Sequence, residues 1–208
     1  MADTYTTLEK VAEIEYIERK SVFLGYAAPV KSEEQALTII KERRTAMPDA
    51  THHVFGYTMK GGILARYSDD GEPQGTAGMP VLETIRKSGA DDALVVVTRY
   101  FGGILLGAGG LVRAYAAAAH EALEAAHIVT YESYAELEIA CNYSDYQKYM
   151  SQLPRFGALI DNTDFAERVT LRFAVKKPLV DDVRALVREI SAGSCEVKVR
   201  GERFDFEK

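Results

Sequence analysis

Three carboxylates within four positions, Asp69, Asp70 and Glu72, lie in a stretch that suits neither a helix interior nor a central strand: S-D-D-G-E-P-Q-G-T-A-G-M-P, from Ser68 to Pro80. Carboxylates so grouped can hold a divalent cation. The spacing is not that of an EF-hand loop, however. Asp-Gly and Glu-Pro are ordinary turn chemistry, and an acid ahead of a helix complements its dipole. Pairing of these acids with Arg99 or Arg113, which would fix two loops against each other, is the preferred reading over a metal site.

Two glycine-rich turns, Gly75-Thr76-Ala77-Gly78 and Gly107-Ala108-Gly109-Gly110, each lead into a helix. Helix N-termini offer free amides and a partial positive charge, and glycine allows a phosphate to come close. Arg113 would lie in the first helical turn after the second of these, where it can add a charge-assisted bond. Neither turn has the Walker or the dinucleotide-binding pattern. The plainer alternative is tight turning and close packing of helix on sheet. His52 and His53 open a strand, so they point to opposite faces and do not form one dyad. No Ser-His-Asp or Cys-His order stands out, and Ser68 lacks the Gly-x-Ser-x-Gly context. The sequence therefore nominates no catalytic residue, no metal ligand set and no cofactor.

These residues need elements to carry them. Residues 8–30 read as two strands around the polar corner Glu18–Ser21. Ser32 and Gln35 form a capping-box pattern for a helix that stops before Met47-Pro48. His53–Met59 and Ile63–Tyr67 read as a hairpin closed at Lys60-Gly61-Gly62. A helix is expected from about Thr76–Met79 to Arg86, ended by Ser88-Gly89. Ala93–Thr98 is a continuous apolar run, the mark of a strand buried on both faces. It delivers Arg99 to its end, where the second glycine-rich segment begins, and a long alanine-rich helix follows from about Leu111 to Ala126. Ligands in α/β sheets favour such strand ends.

Composition shifts near residue 130. Beyond it the order is strand (Tyr134–Cys141), helix (Asp145–Leu153), strand (Ala158–Asp161), strand (Arg168–Val175), helix (Leu179–Ile190) and strand (Cys195–Arg200). This βαββαβ order is the ferredoxin-like pattern. Ser144 and Gln147 form a second capping-box pattern, and Pro178 sits at the start of the last helix. Cys141 ends the first of these strands and Cys195 begins the fourth, so they read as two neighbouring, reduced thiols.

The 208 residues carry a net charge of −6 and are 47% hydrophobic, enough for one or two domains with cores of their own. Two cysteines exclude a disulfide framework or a cysteine-based zinc site. No apolar run reaches membrane-spanning length and no signal segment is evident, which reads as a soluble cytoplasmic protein. The acidity argues against a generic nucleic-acid binder, leaving room only for a local basic groove.

Ser68–Pro80, Arg99-Tyr-Phe-Gly-Gly-Ile-Leu-Leu-Gly107 and Gly109-Gly-Leu-Val-Arg-Ala-Tyr115 together resemble the IMPACT family in its bacterial, YigZ-type form, and the resemblance covers the whole chain. It implies an α+β protein of two domains. Residues 1–130 would adopt the fold of the second domain of ribosomal protein S-five. Residues 131–208 would form a ferredoxin-like domain similar to domain five of elongation factor G. The eukaryotic members are translational regulators, so the resemblance implies a non-enzymatic, translation-associated protein that binds RNA, the ribosome or a translation-related protein. On that reading Arg66, Arg99 and Arg113 contact phosphates, and Tyr100 or Phe101 stacks on a base. The candidate site comprises Ser68, Asp69, Asp70, Glu72, Gly75, Thr76, Arg99, Tyr100, Gly102, Gly103, Gly107, Gly109, Gly110 and Arg113, converging on one surface. Two alternatives stand beside it: a nucleotide- or phosphate-binding protein or small-molecule enzyme built on the glycine-rich helix starts, and a protein–protein adaptor.

Overall fold

The computed structural model describes residues 4–206. Two compact units divide the chain: Tyr5–Thr130 forms one, and Thr4 with the residues from Tyr131 onward forms the other. Both mix helices and sheet.

Strand β1 (Thr4–Leu8) belongs to the other sheet of the chain, and the first unit is built on a five-stranded antiparallel sheet. Its strands are β2 (Ala12–Glu18), β3 (Ser21–Pro29), β4 (His52–Met59), β5 (Leu64–Ser68) and β6 (Ala93–Tyr100), in the order β2-β3-β6-β4-β5. Strands β2 and β3 are joined by Arg19 and Lys20, both with positive φ (46° and 68°), as a two-residue hairpin turn requires. Helix α1 (Glu33–Ala46) covers one face of the sheet. Helices α2 (Gly78–Ser88) and α3 (Gly107–Ala125) cover the other. Along β6, Ala93, Val95 and Val97 enter the α2/α3 core while Leu94 and Val96 enter the α1 core. The run is apolar throughout because helices lie on both sides, although every pairing is antiparallel rather than the parallel kind in which such runs are usual. Gly25 lets α3 approach the sheet: a Cβ there would stand 2.8 Å from the Ala118 carbonyl oxygen.

Helix α1 is capped as expected by Ser32, whose hydroxyl accepts from the Gln35 amide; Gln35 in turn accepts from the Lys31 amide, one residue earlier than the box pattern. Helix α2 ends at Gly89, in the left-handed region at φ 76°. Helix α3 starts four residues before the expected Leu111, so Gly107–Gly110 are its first turn rather than a loop leading to it.

The second unit contains β7 (Ile128–Cys141, its first residues in the first unit), α4 (Tyr143–Gln152), β8 (Leu159–Phe165), β9 (Val169–Lys176), α5 (Val180–Ile190) and β10 (Lys198–Asp205). The antiparallel order β10-β7-β9-β8 is that of the ferredoxin-like fold. Its core lies between the sheet and α4 and α5, with Leu137, Ile139, Tyr149, Leu171, Phe173, Val183 and Val187 at its centre. Two details differ from expectation. The cap of α4 is Asn142 with Asp145, not Ser144 with Gln147, because the helix opens two residues earlier. The last strand starts at Lys198, so Cys195 lies in the loop before it; there its thiol donates to the Ala140 carbonyl beside Cys141, and both cysteines are free. Burial pushes the Cys141 thiol up to about 11, which keeps it protonated and unreactive. Among the described residues, no helix is long and apolar enough to cross a membrane.

Candidate functional site

Strand β6 carries Arg99 on the α2/α3 face, in register with Phe23 of β3 and His52 of β4. Arg99 is 5% exposed, and an arginine so placed requires a counter-ion. Glu72, 8% exposed, supplies it from the loop between β5 and α2: Arg99 Nη1 donates to Glu72 Oε1 at 2.5 Å. Tyr115 of α3 donates its hydroxyl to the same oxygen at 2.8 Å. Burial, then the Glu72 charge, raises the Tyr115 pKa far above its usual value, so it stays a donor. The Arg99 guanidinium also lies 5.5 Å from the centre of the Phe23 ring and 5.6 Å from that of Phe101. Ser21 Oγ accepts from Arg99 Nη2 at 3.4 Å and from the Gly102 amide at 3.2 Å.

The preferred pairing of acids with arginines therefore holds for Glu72 and Arg99 alone. Asp70 pairs instead with Arg44 of α1 at 2.5 Å and accepts from the His53 amide at 2.6 Å. Asp69 faces backbone: its carboxylate accepts from the amides of Gly75, Ala77 and Gly78 at 2.9, 3.1 and 2.8 Å. The α2 N-terminus thus already holds an anion, its own chain's carboxylate, which corrects the reading of Gly75–Gly78 as an open phosphate cradle. Ser68 Oγ accepts from the Asp70 amide, and Thr76 Oγ1 donates to the Pro73 carbonyl. Gly78 lies against the Ser68 backbone, where a Cβ would come within 2.6 Å of the carbonyl.

Gly102 fits against the β2–β3 turn so closely that a Cβ would stand 2.0 Å from the Lys20 carbonyl carbon. Gly103 needs glycine for a different reason, its φ of 82°, since a Cβ there would meet nothing within 4 Å. The Arg99–Gly103 segment, the β2–β3 turn and the Ser68–Pro80 loop meet at one end of the sheet. Between them and the first turn of α3 lies an apolar cleft of about 380 Å³. Arg99, Glu72 and His52 form its polar wall. Phe101, Leu105 and Leu106 line its mouth, and Gly107, Ala108 and Leu111 present the start of α3 to it.

Not all the expected residues come to this cleft. Arg66 sits on the α1 face, opposite Tyr57 and 4.0 Å from Glu33. Tyr100 also points to that face, where its hydroxyl reaches Asp49 at 3.3 Å. Arg113 is exposed on α3; its guanidinium folds back toward Gly109 and does not line the cleft. The expected convergence of the Arg99–Arg113 stretch with the Ser68–Pro80 loop is therefore corrected at Tyr100 and Arg113, and Arg66, expected beside Arg99 and Arg113 as a phosphate contact, is not on their surface. Alternation along a strand separates Tyr100 from Arg99, and edge pairing places Arg66 behind the sheet. Conversely, His52, Ser21 and Tyr115 belong to the site but were not nominated. His52 was visible as the alternation partner of buried His53, and Tyr115 closes a motif already quoted. Ser21 had no signal beyond its place after a polar corner.

Residues 19–123 match the Impact N-terminal domain, and residues 139–194 match a domain of unknown function, DUF1949. The first match contains every residue of the cleft. Among curated proteins, IMPACT family member YvyE of Bacillus subtilis is 31% identical over 209 residues, covering 100% of this chain and 96% of its own. IMPACT family member YigZ of Escherichia coli is 33% identical over 182 residues, covering 86% of this chain and 89% of its own. The Protein IMPACT homolog of Dictyostelium discoideum is 38% identical over 95 residues, 43% of this chain and 27% of its own length. A solved structure described as that of a hypothetical protein superposes with a TM-score of 0.60 at 29% identity, covering 97% of this chain and 99% of its own.

Proposed function

Because the chain belongs to the IMPACT family, we propose that it is a non-enzymatic, translation-associated protein that acts by binding a ribosomal or translation-related partner through the face built from Ser68–Pro80 and Arg99–Tyr115. The observation that carries this reading is the division of labour within the two stretches. Their charged groups Asp69, Asp70, Glu72 and Arg99 are engaged by other groups of the protein, Glu72 and Arg99 buried and the two aspartates half-buried, and so hold the loops. Besides Arg113, the large side chains that the second stretch turns to solvent are apolar: Phe101 is 46% and Leu105 82% exposed, with Ile104 beside them. Exposed apolar groups on a scaffold held by a buried ion pair and by carboxylate–amide bonds suit recognition.

A protein component is favoured over bare RNA. Arg99 is paired and buried, so it is not free for phosphate, and the net charge is −6. The open sheet face of the second unit gives no basic platform either. Glu138 binds Arg172 and Arg200, and Asp161 and Glu136 bind Arg203, so its arginines are matched by carboxylates. Those hydrogen bonds from Arg200 and Arg172 lower the Glu138 pKa, keeping it charged.

Sedimentation of lysate through a gradient tests the proposal. The protein is expected to run with ribosomal particles and to return to the top in Leu105→Asp. A protein that stays at the top under every salt condition would overturn it. Cosedimentation that ribonuclease-resistant partners cannot account for, retained in Leu105→Asp, would transfer the proposal to RNA and to the exposed Arg113.

A further inference from the structure

We propose that the cleft at the start of α3 is a binding site for a monoanionic organic acid, a carboxylate carried on an apolar body. The inference deepens the binding reading above, since it assigns a ligand chemistry to the same face.

Three observations carry it. First, the two long helices that begin at this end of the sheet are unequal. The amides opening α2 are filled by Asp69, whereas α3, 19 residues long, opens with Leu106, which has no capping oxygen, and has no acidic residue in its first turn. Its Gly107 and Ala108 border the cleft. The positive end of the dipole, at Gly107 and Ala108, thus borders a space large enough for a small molecule. Second, Arg99 forms part of the cleft wall with donor capacity to spare. A guanidinium has five N–H groups, and its acceptors are Glu72 and Ser21; its Nε, although buried, has no hydrogen-bond partner among the described residues. A buried donor in that state is uncommon and calls for an acceptor. Third, beyond the polar wall of Thr51, His52, Glu72 and Arg99, the side chains lining the cleft are Pro73, Phe101, Leu105, Leu106 and Leu111, which take hydrocarbon rather than a polar group.

The local charge selects the anion. Glu72 already neutralises Arg99, so the attraction left is the partial charge of the helix end, with His52 beside it. A dianionic phosphate would meet the Glu72 carboxylate without enough positive charge to offset it. A single carboxylate can sit on the α3 amides with its apolar body against Phe101 and Leu111. Such an acid has two sources, a free metabolite or the C-terminus of a polypeptide ending in an apolar residue.

The test is a titration of isotopically labelled full-length protein with 4-methylpentanoate and with phenylacetate, following backbone amides by NMR. Saturable shifts are expected at Gly107, Ala108, Gly109 and Gly110, with inorganic phosphate producing smaller ones. Ala108 is exposed, so Ala108→Glu places the protein's own carboxylate at the helix end without disturbing the core. This variant is expected to fold, to melt no lower than the parent, and to bind about tenfold more weakly or worse, the scale of one hydrogen bond to a charged group. Ala108→Gln, equal in size and neutral, is expected to keep most of the affinity. Absence of saturable shifts at residues 107–110, or equal binding by Ala108→Glu and the parent, would overturn the proposal. A peptide ending in leucine, free or amidated at its C-terminus, separates the sources. Tighter binding of the free form than of the small acids points to a chain end, and binding of the small acids alone points to a metabolite. Both outcomes support the site. Acid binding without cosedimentation would leave this inference standing and overturn the translation reading; cosedimentation without acid binding would do the reverse.

Discussion

Removing either charge of the Arg99–Glu72 pair leaves the other inside the protein with no counter-ion. Both side chains are more than nine-tenths buried, so solvent does little to screen the loss. Glu72→Ala is expected to lower the unfolding free energy by about 3 kcal/mol or more, and Arg99→Met combined with Glu72→Leu by less than the sum of the single changes. A double-mutant cycle by urea denaturation checks this. Tyr115→Phe deletes one hydrogen bond to the same carboxylate and is expected to cost about 2 kcal/mol. His53 behaves differently. Its Nε2 donates to the Met47 carbonyl and its Nδ1 accepts from Thr98, an arrangement for the neutral ring, and burial lowers its pKa below the ordinary 6.5. The unfolded chain therefore takes up this proton at a higher pH than the folded chain. The stability involved is complete above 6.5 and declines as pH falls from there toward the lowered value. Between about pH 7 and about pH 5 the urea midpoint is expected to fall less steeply in His53→Gln than in the parent.

Two loops hold their shape through contacts that sequence spacing does not reveal, and each can be broken at the level of the element. Asp69 accepts three amides at the opening of α2, whose capping position is Ala77 and has no oxygen to offer. Asp69→Ala is expected to cost about 2 kcal/mol, at the upper end for a lost cap, and to speed hydrogen exchange at Gly75, Ala77 and Gly78. Gly102 and Gly103 are neighbours with different constraints. Gly103→Ala meets no atom and strains only its positive φ, at about 1 kcal/mol. Gly102→Ala drives a methyl group into the Lys20 backbone, which cannot yield as a side-chain tip would. It is expected to cost about 3 kcal/mol and to shift the NMR resonances of Arg19–Ser21. The capping patterns illustrate the same limit. Ser32 caps α1 because its hydroxyl meets the right amide, whereas Ser144 is bypassed because Asn142, two residues earlier, meets one first. Local chemistry marks where a helix can start; which candidate wins depends on how the strand before it ends.

At the scale of the molecule, each unit has a hydrophobic core of its own, around β6 in the first and around β7 and β9 in the second. A fragment beginning at Tyr131 is accordingly expected to unfold cooperatively and to give a dispersed amide spectrum. The order of elements and the ferredoxin-like topology were legible in the sequence. Hydrophobic periodicity reports which face of an element is buried, glycine and proline report where it ends, and the βαββαβ order leaves few topologies. The motifs that place the chain in its family were legible too, being contiguous runs of unusual residues. The partners of those residues were not. Arg99 was visible as a strand-end arginine, yet its burial against Glu72, Tyr115 and Ser21 joins positions from 21 to 115. Asp69, Asp70 and Glu72 look alike in sequence, but a positive φ at Asp70 and the turn after it send them to backbone amides, to Arg44 and to Arg99 respectively. Pattern along the chain determined the elements, because burial and turning are local properties of residue type. The tertiary structure alone decided which charges are internal and which surface is left apolar, because a counter-ion is chosen by distance in space.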